Sequence, residues 1–234
     1  MQTLAEYPEY ELVRCLRRTD TKELLLFRHR ELNRCIVQRI LYRADAGVYQ
    51  KLSCVLHPNL LEIYEAVQDG PDAYVLEEYF DGIPLSDILE DRKLKDAEIR
   101  NILLAVCHAL EILHRLGIIH RDVKPQNIML DAGGHIKLID YDISKSRKDK
   151  QDGDTTALGT LGFAAPEQFG LAQSNERTDI FAVGILLNVM LTGEHPSVQL
   201  CKGRWRKVVQ TCTNIENTGR YKNVLELKKA ILWR

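Results

Sequence analysis

The hydrophobic pattern of this 234-residue chain changes its period once, and that change limits the folds open to it. Up to about residue 80 the apolar residues come in short runs rich in β-branched and aliphatic side chains. These runs are YELVRCL (10–16), ELLLFRHREL (23–32) and RCIVQRI (34–40), followed by two more near 60–67 and 73–79. Polar connections over 17–22, near Asn33 and in QDGPD (68–72) fit hairpin turns, and a short helix fits 46–55, ahead of HPN at 57–59. From Leu85 onward the spacing is helical. In DAEIRNILLAVCHALEILHRLG, residues Ile99, Ile102, Leu103, Val106, Leu110 and Leu113 recur at three- and four-residue steps. Asp96 is placed to cap that helix and Gly117 to stop it. The stretch 179–191 is apolar nearly all round, which predicts a helix buried at the centre of a helical region. Two further helices are expected over 204–214 and 223–232. A strand-rich part thus precedes a helix-rich part, with the crossover at 81–84.

Charge and cysteine usage exclude several classes of function. Lys plus Arg number 32 against 33 Asp plus Glu, a formal net charge of −1, so no nucleic-acid partner is expected. The six cysteines are scattered without CxxC spacing, which reads as reduced thiols in a cytoplasmic protein rather than a disulfide frame or zinc site. The N-terminal MQTLAEYPEY has no basic-then-apolar signal pattern. The longest apolar run, 180–191, is broken by Gly184 and Asn188 and falls short of the ~20 residues a membrane span needs.

The segment IIHRDVKPQNIMLDAGGHIKLIDYD (118–142) carries the chemistry. It places Asp122, Lys124, Asn127 and Asp140 on two short loops flanked by apolar, strand-like runs. Two carboxylates, a carboxamide and an ammonium brought together suit phosphoryl transfer. Mg²⁺ takes hard oxygen ligands, one carboxylate orients a hydroxyl, and a lysine offsets the charge of the migrating group.

From these residues the chain resembles the eukaryotic-type protein kinase superfamily, over roughly 10–232. HRDVKPQN matches the catalytic-loop pattern of that family, GTLGFAAPEQ (159–168) the end of its activation segment, and TDIFAVGILL (178–187) its central helix. LEEYFDG, LIDYDISK, AAPEQ and RYKN are closer in wording to the bacterial serine/threonine kinases. The resemblance implies an α+β, bilobal fold forming a single kinase-like domain over 1–234. Its antiparallel β-sheet N-lobe would cover about 1–80 and its helical C-lobe about 85–234. It implies ATP and Mg²⁺ or Mn²⁺ as cofactors and a protein serine or threonine as acceptor, with no membrane or nucleic-acid partner. Asp122 would orient the hydroxyl, Lys124 contact the transferred phosphate, and Asn127 and Asp140 hold the metals. Lys22, Gln38, Glu77, Glu78, Phe80 and Met129 would form the nucleotide site. His120, Tyr141, Leu52, Ile63 and Asp179 match the family's hydrophobic stack. In the activation segment Thr155 and Thr156 are candidate phosphorylation sites. Thr160 would lie near the substrate, and Glu167 would pair with Arg220.

The first third departs from the family pattern. Laid without a gap on the glycine-rich loop, LRRTDTKELLLFRHRELNR puts Arg17, Thr19 and Lys22 where three glycines belong. The third-strand lysine falls on Gln38, its helix glutamate on Val48, and the small residue under the adenine on Ile36. Lys22 falls where with-no-lysine kinases supply a replacement lysine, with Glu77 beside the adenine pocket as the stand-in acid. The DFG triplet has become Asp140-Tyr141-Asp142, and 196–205 is too short for the usual docking helix. The expectation is a working serine/threonine kinase with an atypical nucleotide site. The alternative is a pseudokinase serving as a binding or scaffolding module. Small-molecule kinases rank below both, because Ala165-Pro166-Glu167 and Lys124 are present.

Overall fold

Alternating apolar residues in the first third pair into one sheet in the computed structural model, which describes residues 3–146, 162–169 and 173–233. The chain folds as two units, Met1–Asp81 and Gly82–Arg234.

In the first unit, β1 (Tyr10–Arg18), β2 (Lys22–His29), β3 (Cys35–Leu41), β4 (Ile63–Asp69) and β5 (Asp72–Glu78) form an antiparallel sheet in the order β1-β2-β3-β5-β4. A short helix, α1 (Gly47–Leu52), links β3 to β4. Successive side chains of a strand point to opposite faces, so each central strand fills two layers. On one face Leu4, Leu25, Phe27 and Ile40 form a buried cluster, joined by Ile36, Tyr74 and Leu76. The other face buries Val37, Arg39 and Leu41 of β3 with Ala73, Val75 and Glu77 of β5. It is the face that meets α1, since the Arg39 guanidinium lies 5.6 Å from the Tyr49 ring centre. The β4–β5 hairpin turns at Gly70, whose φ of +58° suits a residue without a Cβ.

The second unit holds β6 (Gly82–Pro84), α2 (Leu85–Asp91), α3 (Asp96–Arg115), β7 (Ile118–Ile119), β8 (Ile128–Asp131), β9 (Ile136–Leu138), β10 (Lys145–Ser146), α4 (Glu176–Thr192), α5 (Arg206–Cys212) and α6 (Val224–Leu232). Strands β6, β8 and β9 form a small antiparallel sheet, and β7 pairs with β10. α3 runs where its periodicity predicts, but Asp96 is not its cap. Lys95 holds that position and donates its N–H to the Glu98 carboxylate at 2.8 Å, while Asp96 bonds Arg204 at 2.6 Å. Gly117, at φ +71°, ends the helix. α4 is buried on nearly every side, as its all-round apolar sequence requires. Its Gly184 lets α5 approach closely, since a Cβ there would sit 2.4 Å from the Cys212 Cβ. The helix expected over 204–214 is shorter than predicted, because Gly203–Trp205 forms a separate 3₁₀ turn ahead of α5. Among the described residues, no helix is long and apolar enough to cross a membrane.

Candidate active site

Two loops of the second unit carry the chemistry, one between β7 and β8 and one following β9. Buried Ile118 and Ile119 anchor the start of the first, and buried Ile128 its end. Between them the Asp122 carboxylate lies 2.6 Å from the Lys124 ammonium. Asn127 donates its amide N–H to the same carboxylate at 2.8 Å and to the Asp122 carbonyl at 2.9 Å. The structure thus gathers Asp122, Lys124 and Asn127 into one bonded cluster. With its nitrogen so committed, Asn127 has its oxygen to offer a cation. The Ile139 N–H donates to the Asn127 carbonyl at 2.9 Å, which ties the second loop to the first and sets Asp140 beside that junction.

Arg121 and Asp140 have φ of +70° and +66°, in the left-handed region that non-glycine residues seldom adopt. Such strain persists only where the surroundings over-determine it. Those surroundings are a set of buried hydrogen bonds. Asp179 of α4 accepts from the His120 N–H at 3.0 Å, the Arg121 N–H at 2.8 Å and His114 Nε2 at 2.7 Å. Gln168 donates to the Arg121 carbonyl at 2.9 Å and accepts from the Ala165 N–H at 2.9 Å. The Tyr141 ring packs edge-on against His120, with centres 5.7 Å apart. Its hydroxyl is accommodated in the core by donating to the Leu138 carbonyl at 2.7 Å. Burial pushes the His120 imidazole below its ordinary range, so it packs neutral. Burial alone would raise the Asp179 carboxyl, but the His114 hydrogen bond and the Arg121 amide N–H hold it low.

The pair expected between Glu167 and Arg220 forms, with bonds of 2.7 and 3.0 Å. Thr178 and Asn217 also donate to Glu167, and Arg220 further reaches the Asn214 and Arg177 carbonyls. Thr155, Thr156 and Thr160 lie outside the described residues.

The donor chemistry of Asn127 and Asp140 fits Mg²⁺, which takes hard oxygens, binds through few protein ligands and completes its shell with phosphate and water. Among the described residues no group of three His, Cys, Asp or Glu side chains forms an all-protein cage.

The first unit departs from the sequence expectations. Gln38 is wholly buried, and its amide oxygen accepts from the Thr3 hydroxyl and the Leu4 N–H, both at 3.0 Å. It is therefore a clamp on the N-terminal segment, not a residue of the α1-facing layer. The cation of that layer is Arg39, one position on, which bonds Glu77 at 2.9 Å from Nη2 and at 3.3 Å from Nε. Both residues are 2% exposed. Glu77 thus takes an acid's part, with Arg39 as a buried cation bonded to it. Register likewise puts Val37, not Ile36, in the α1-facing layer. Lys22 opens β2 opposite Leu41. The Thr19 hydroxyl accepts from the Thr21 and Lys22 N–H groups at 3.3 and 3.1 Å, so the β1–β2 turn satisfies its own amides. That turn does not fit a glycine-type phosphate cradle. Val48 lies on α1, away from any acid role by its own chemistry. Glu78 ends β5 and accepts from the Glu62 N–H at 3.1 Å. Phe80 follows it half-buried, and Met129 lies on β8 opposite Pro84 and Lys137.

Sequence reasoning missed Arg39, His114 and Gln168. Arg39 had a signal, being the cation in the interior of the third apolar run, which Arg34 merely opens. His114 and Gln168 are single polar residues with no local pattern.

Comparison with known proteins agrees with this geometry. The protein kinase domain family matches residues 28–230. A probable serine/threonine-protein kinase of Clostridium perfringens is 31% identical over 202 residues, covering 80% of this chain and 29% of that protein. Serine/threonine-protein kinase PknB of Mycobacterium leprae is 34% identical over 64% of this chain and 25% of its own length. PknB of Mycolicibacterium smegmatis is 30% identical over 81% of this chain and 33% of its own length. The chain therefore spans about a quarter to a third of the length of these relatives.

Proposed function

The chain belongs to the protein kinase domain family, and on that premise we propose that it is an ATP-dependent serine/threonine protein kinase with an atypical nucleotide site. One observation carries the reading: Asp122 is held by Lys124 and Asn127 on a loop whose strained backbone is locked to Asp179. A loop kept at that conformational cost is explained by chemistry better than by folding, because strain and half-buried charge both oppose stability.

Held in one orientation, the Asp122 carboxylate accepts the proton of an incoming serine or threonine hydroxyl. The Lys124 ammonium, 2.6 Å away, places positive charge where the hydroxyl meets phosphate. The Asn127 oxygen and the Asp140 carboxylate would hold Mg²⁺ or Mn²⁺. Mg·ATP, when bound, supplies the phosphoryl group and the cation charge that offsets it. In the first unit, Arg39 with Glu77 provides the buried cation that the resemblance assigns to a third-strand lysine. Lys124 and the names of the relatives favour serine or threonine over tyrosine as acceptor. A protein substrate and a cytoplasmic setting with reduced thiols belong to the same reading.

One observation favours the alternative, a pseudokinase acting as a binding module. The β1–β2 turn satisfies its own amides through Thr19, where a phosphate cradle would leave them to the ligand. Calorimetry of ATP binding with and without Mg²⁺ or Mn²⁺ separates the two. Metal-dependent binding, followed by phosphate transfer that Asp122→Ala abolishes, supports the kinase. No binding at millimolar nucleotide establishes the module.

A further inference from the structure

Two β-bulges in β1 re-aim two arginines. The strand pairs with β2 as Leu12↔Phe27, Arg14↔Leu26, Cys15↔Leu25 and Arg17↔Leu24, so Val13 is inserted before Arg14 and Leu16 before Arg17. Residues three apart on an unbroken strand face opposite ways. Here the second bulge brings Arg14 and Arg17 to one face, because their partners Leu26 and Leu24 share a face of β2. The first bulge decides which face. Continued from Leu12↔Phe27 without it, Arg14 would oppose Leu25, on the side of the Leu4 cluster. With it, Arg14 heads the cross-strand row Arg14–Leu26–Val37–Glu77, and Arg17 the row Arg17–Leu24–Arg39–Val75. Both arginines therefore belong to the α1-facing side of the sheet. Arg17 lies two strands from the buried Arg39, about 10 Å at the usual strand spacing.

Charge on this side is out of balance. The acids that register places there are Glu11, taken by Arg30 at 3.2 Å, and Glu77, taken by Arg39 at 2.9 Å. Arg18 turns to the opposite side and pairs with Glu23 at 3.1 Å. Arg14 and Arg17 are exposed and have no ion pair or side-chain hydrogen bond among the described residues. Lys22, opposite Leu41, adds a further cation on their side. A guanidinium presents a planar fork of donors that matches the oxygens of a phosphate. The amides of the adjoining turn are already satisfied by Thr19, so a phosphate held here is held by side chains.

We propose that Arg14 and Arg17 form a polyphosphate-binding face, gripping by guanidinium what a glycine-rich turn grips by backbone amides. The proposal rests on the kinase reading for the ligand's identity, the phosphate chain of a nucleotide. A plainer role exists for the same features, since β1 is an edge strand and bulges and charges blunt such edges against pairing with another chain.

Calorimetry on the whole chain, with Mg²⁺ throughout, uses ATP, inorganic tripolyphosphate and adenosine as probes. Arg14→Gln and Arg17→Gln should each weaken ATP and tripolyphosphate about tenfold, the worth of one charge-assisted contact, and leave adenosine unchanged. Arg17→Lys should restore only part of the loss, because the charge returns without the fork. Arg18→Gln, on the other side of the sheet, should leave all three affinities unchanged. ATP and tripolyphosphate affinities unmoved in the Arg14→Gln/Arg17→Gln double variant would overturn the proposal, and phosphate transfer by the parent would still uphold the kinase reading. Such a variant that also self-associates in sedimentation would assign the bulges to edge protection. Tripolyphosphate bound through both arginines by a parent that binds neither ATP nor adenosine would support the anion face and sink the kinase reading. No binding of tripolyphosphate or ATP to the parent would remove the face.

Discussion

Arg39 reaches diagonally across two strands to Glu77: in backbone register Arg39 faces Val75, and Glu77 faces Val37, yet Nη2 and Oε1 meet at 2.9 Å. Diagonal neighbours on one sheet face are within reach of long side chains. Apolar Val37, Leu41, Ala73 and Val75 are buried on the same sheet face. An ion pair in such a place adds little net stability, since desolvation offsets most of the attraction.

Removing one partner leaves the other charged and buried. Arg39→Met or Glu77→Leu alone should therefore cost about 3–5 kcal/mol, while the double replacement should recover most of that loss. Urea unfolding of the three variants measures this. Nucleotide binding should not recover in the stable double variant, and Lys22→Ala and Gln38→Ala should weaken it less. A double variant that binds ATP like the parent would take the cation role away from Arg39.

The same strand shows why the first unit was harder to read than the second. In β3 both parities are mostly apolar, Ile36 and Ile40 on one face and Val37 and Leu41 on the other. Hydrophobic pattern could not choose between Gln38 and Arg39, and a slip of one residue reverses the face of every side chain. The catalytic loops were legible because Asp122, Lys124, Asn127 and Asp140 fall in one continuous segment with apolar strands around it. Their supports were not. His114 meets Asp179 across 65 positions, and Gln168 meets Arg121 across 47, distances over which sequence carries no local signal. Asp179 itself was found only through the family resemblance.

Asp122→Ala should lower phosphate transfer by about 10²–10⁴-fold, the usual contribution of a positioned acid–base group. The fold should survive, because the loop remains anchored through the His120 and Arg121 N–H bonds to Asp179. Labelled phosphate incorporation and a thermal melt on the same preparation test both halves. Transfer at the parental rate would strip Asp122 of its role.

Arg220→Ala removes both cationic contacts of Glu167, whose carboxylate stays buried among Thr178 and Asn217. The expected loss is about 3–5 kcal/mol of stability. Arg220→Lys should rescue only part, since an ammonium cannot make the two-pronged contact while reaching the Asn214 and Arg177 carbonyls. Full rescue by lysine in chemical denaturation would show that charge alone matters here.

Acid should destabilise the chain in two stages. The His120 imidazole is pushed below its ordinary 6.5 by burial, so the unfolded chain takes up that proton first. Stability it contributes is complete above about pH 6.5 and is lost as pH falls toward the lower folded value. Asp179 and Glu167 follow. Burial opposes their ionisation, but the His114 bond to Asp179 and the Arg220 bonds to Glu167 overcome it and hold both carboxyls low. Their stabilisation is present above about pH 4 and disappears as pH falls through the depressed folded values. All three groups bind protons more readily when unfolded, so the slopes share one sign. Urea midpoints between pH 8 and pH 3 should fall gently below 6.5 and steeply below 4. A midpoint constant from pH 7 to pH 5 would show that His120 does not stay neutral in the folded chain.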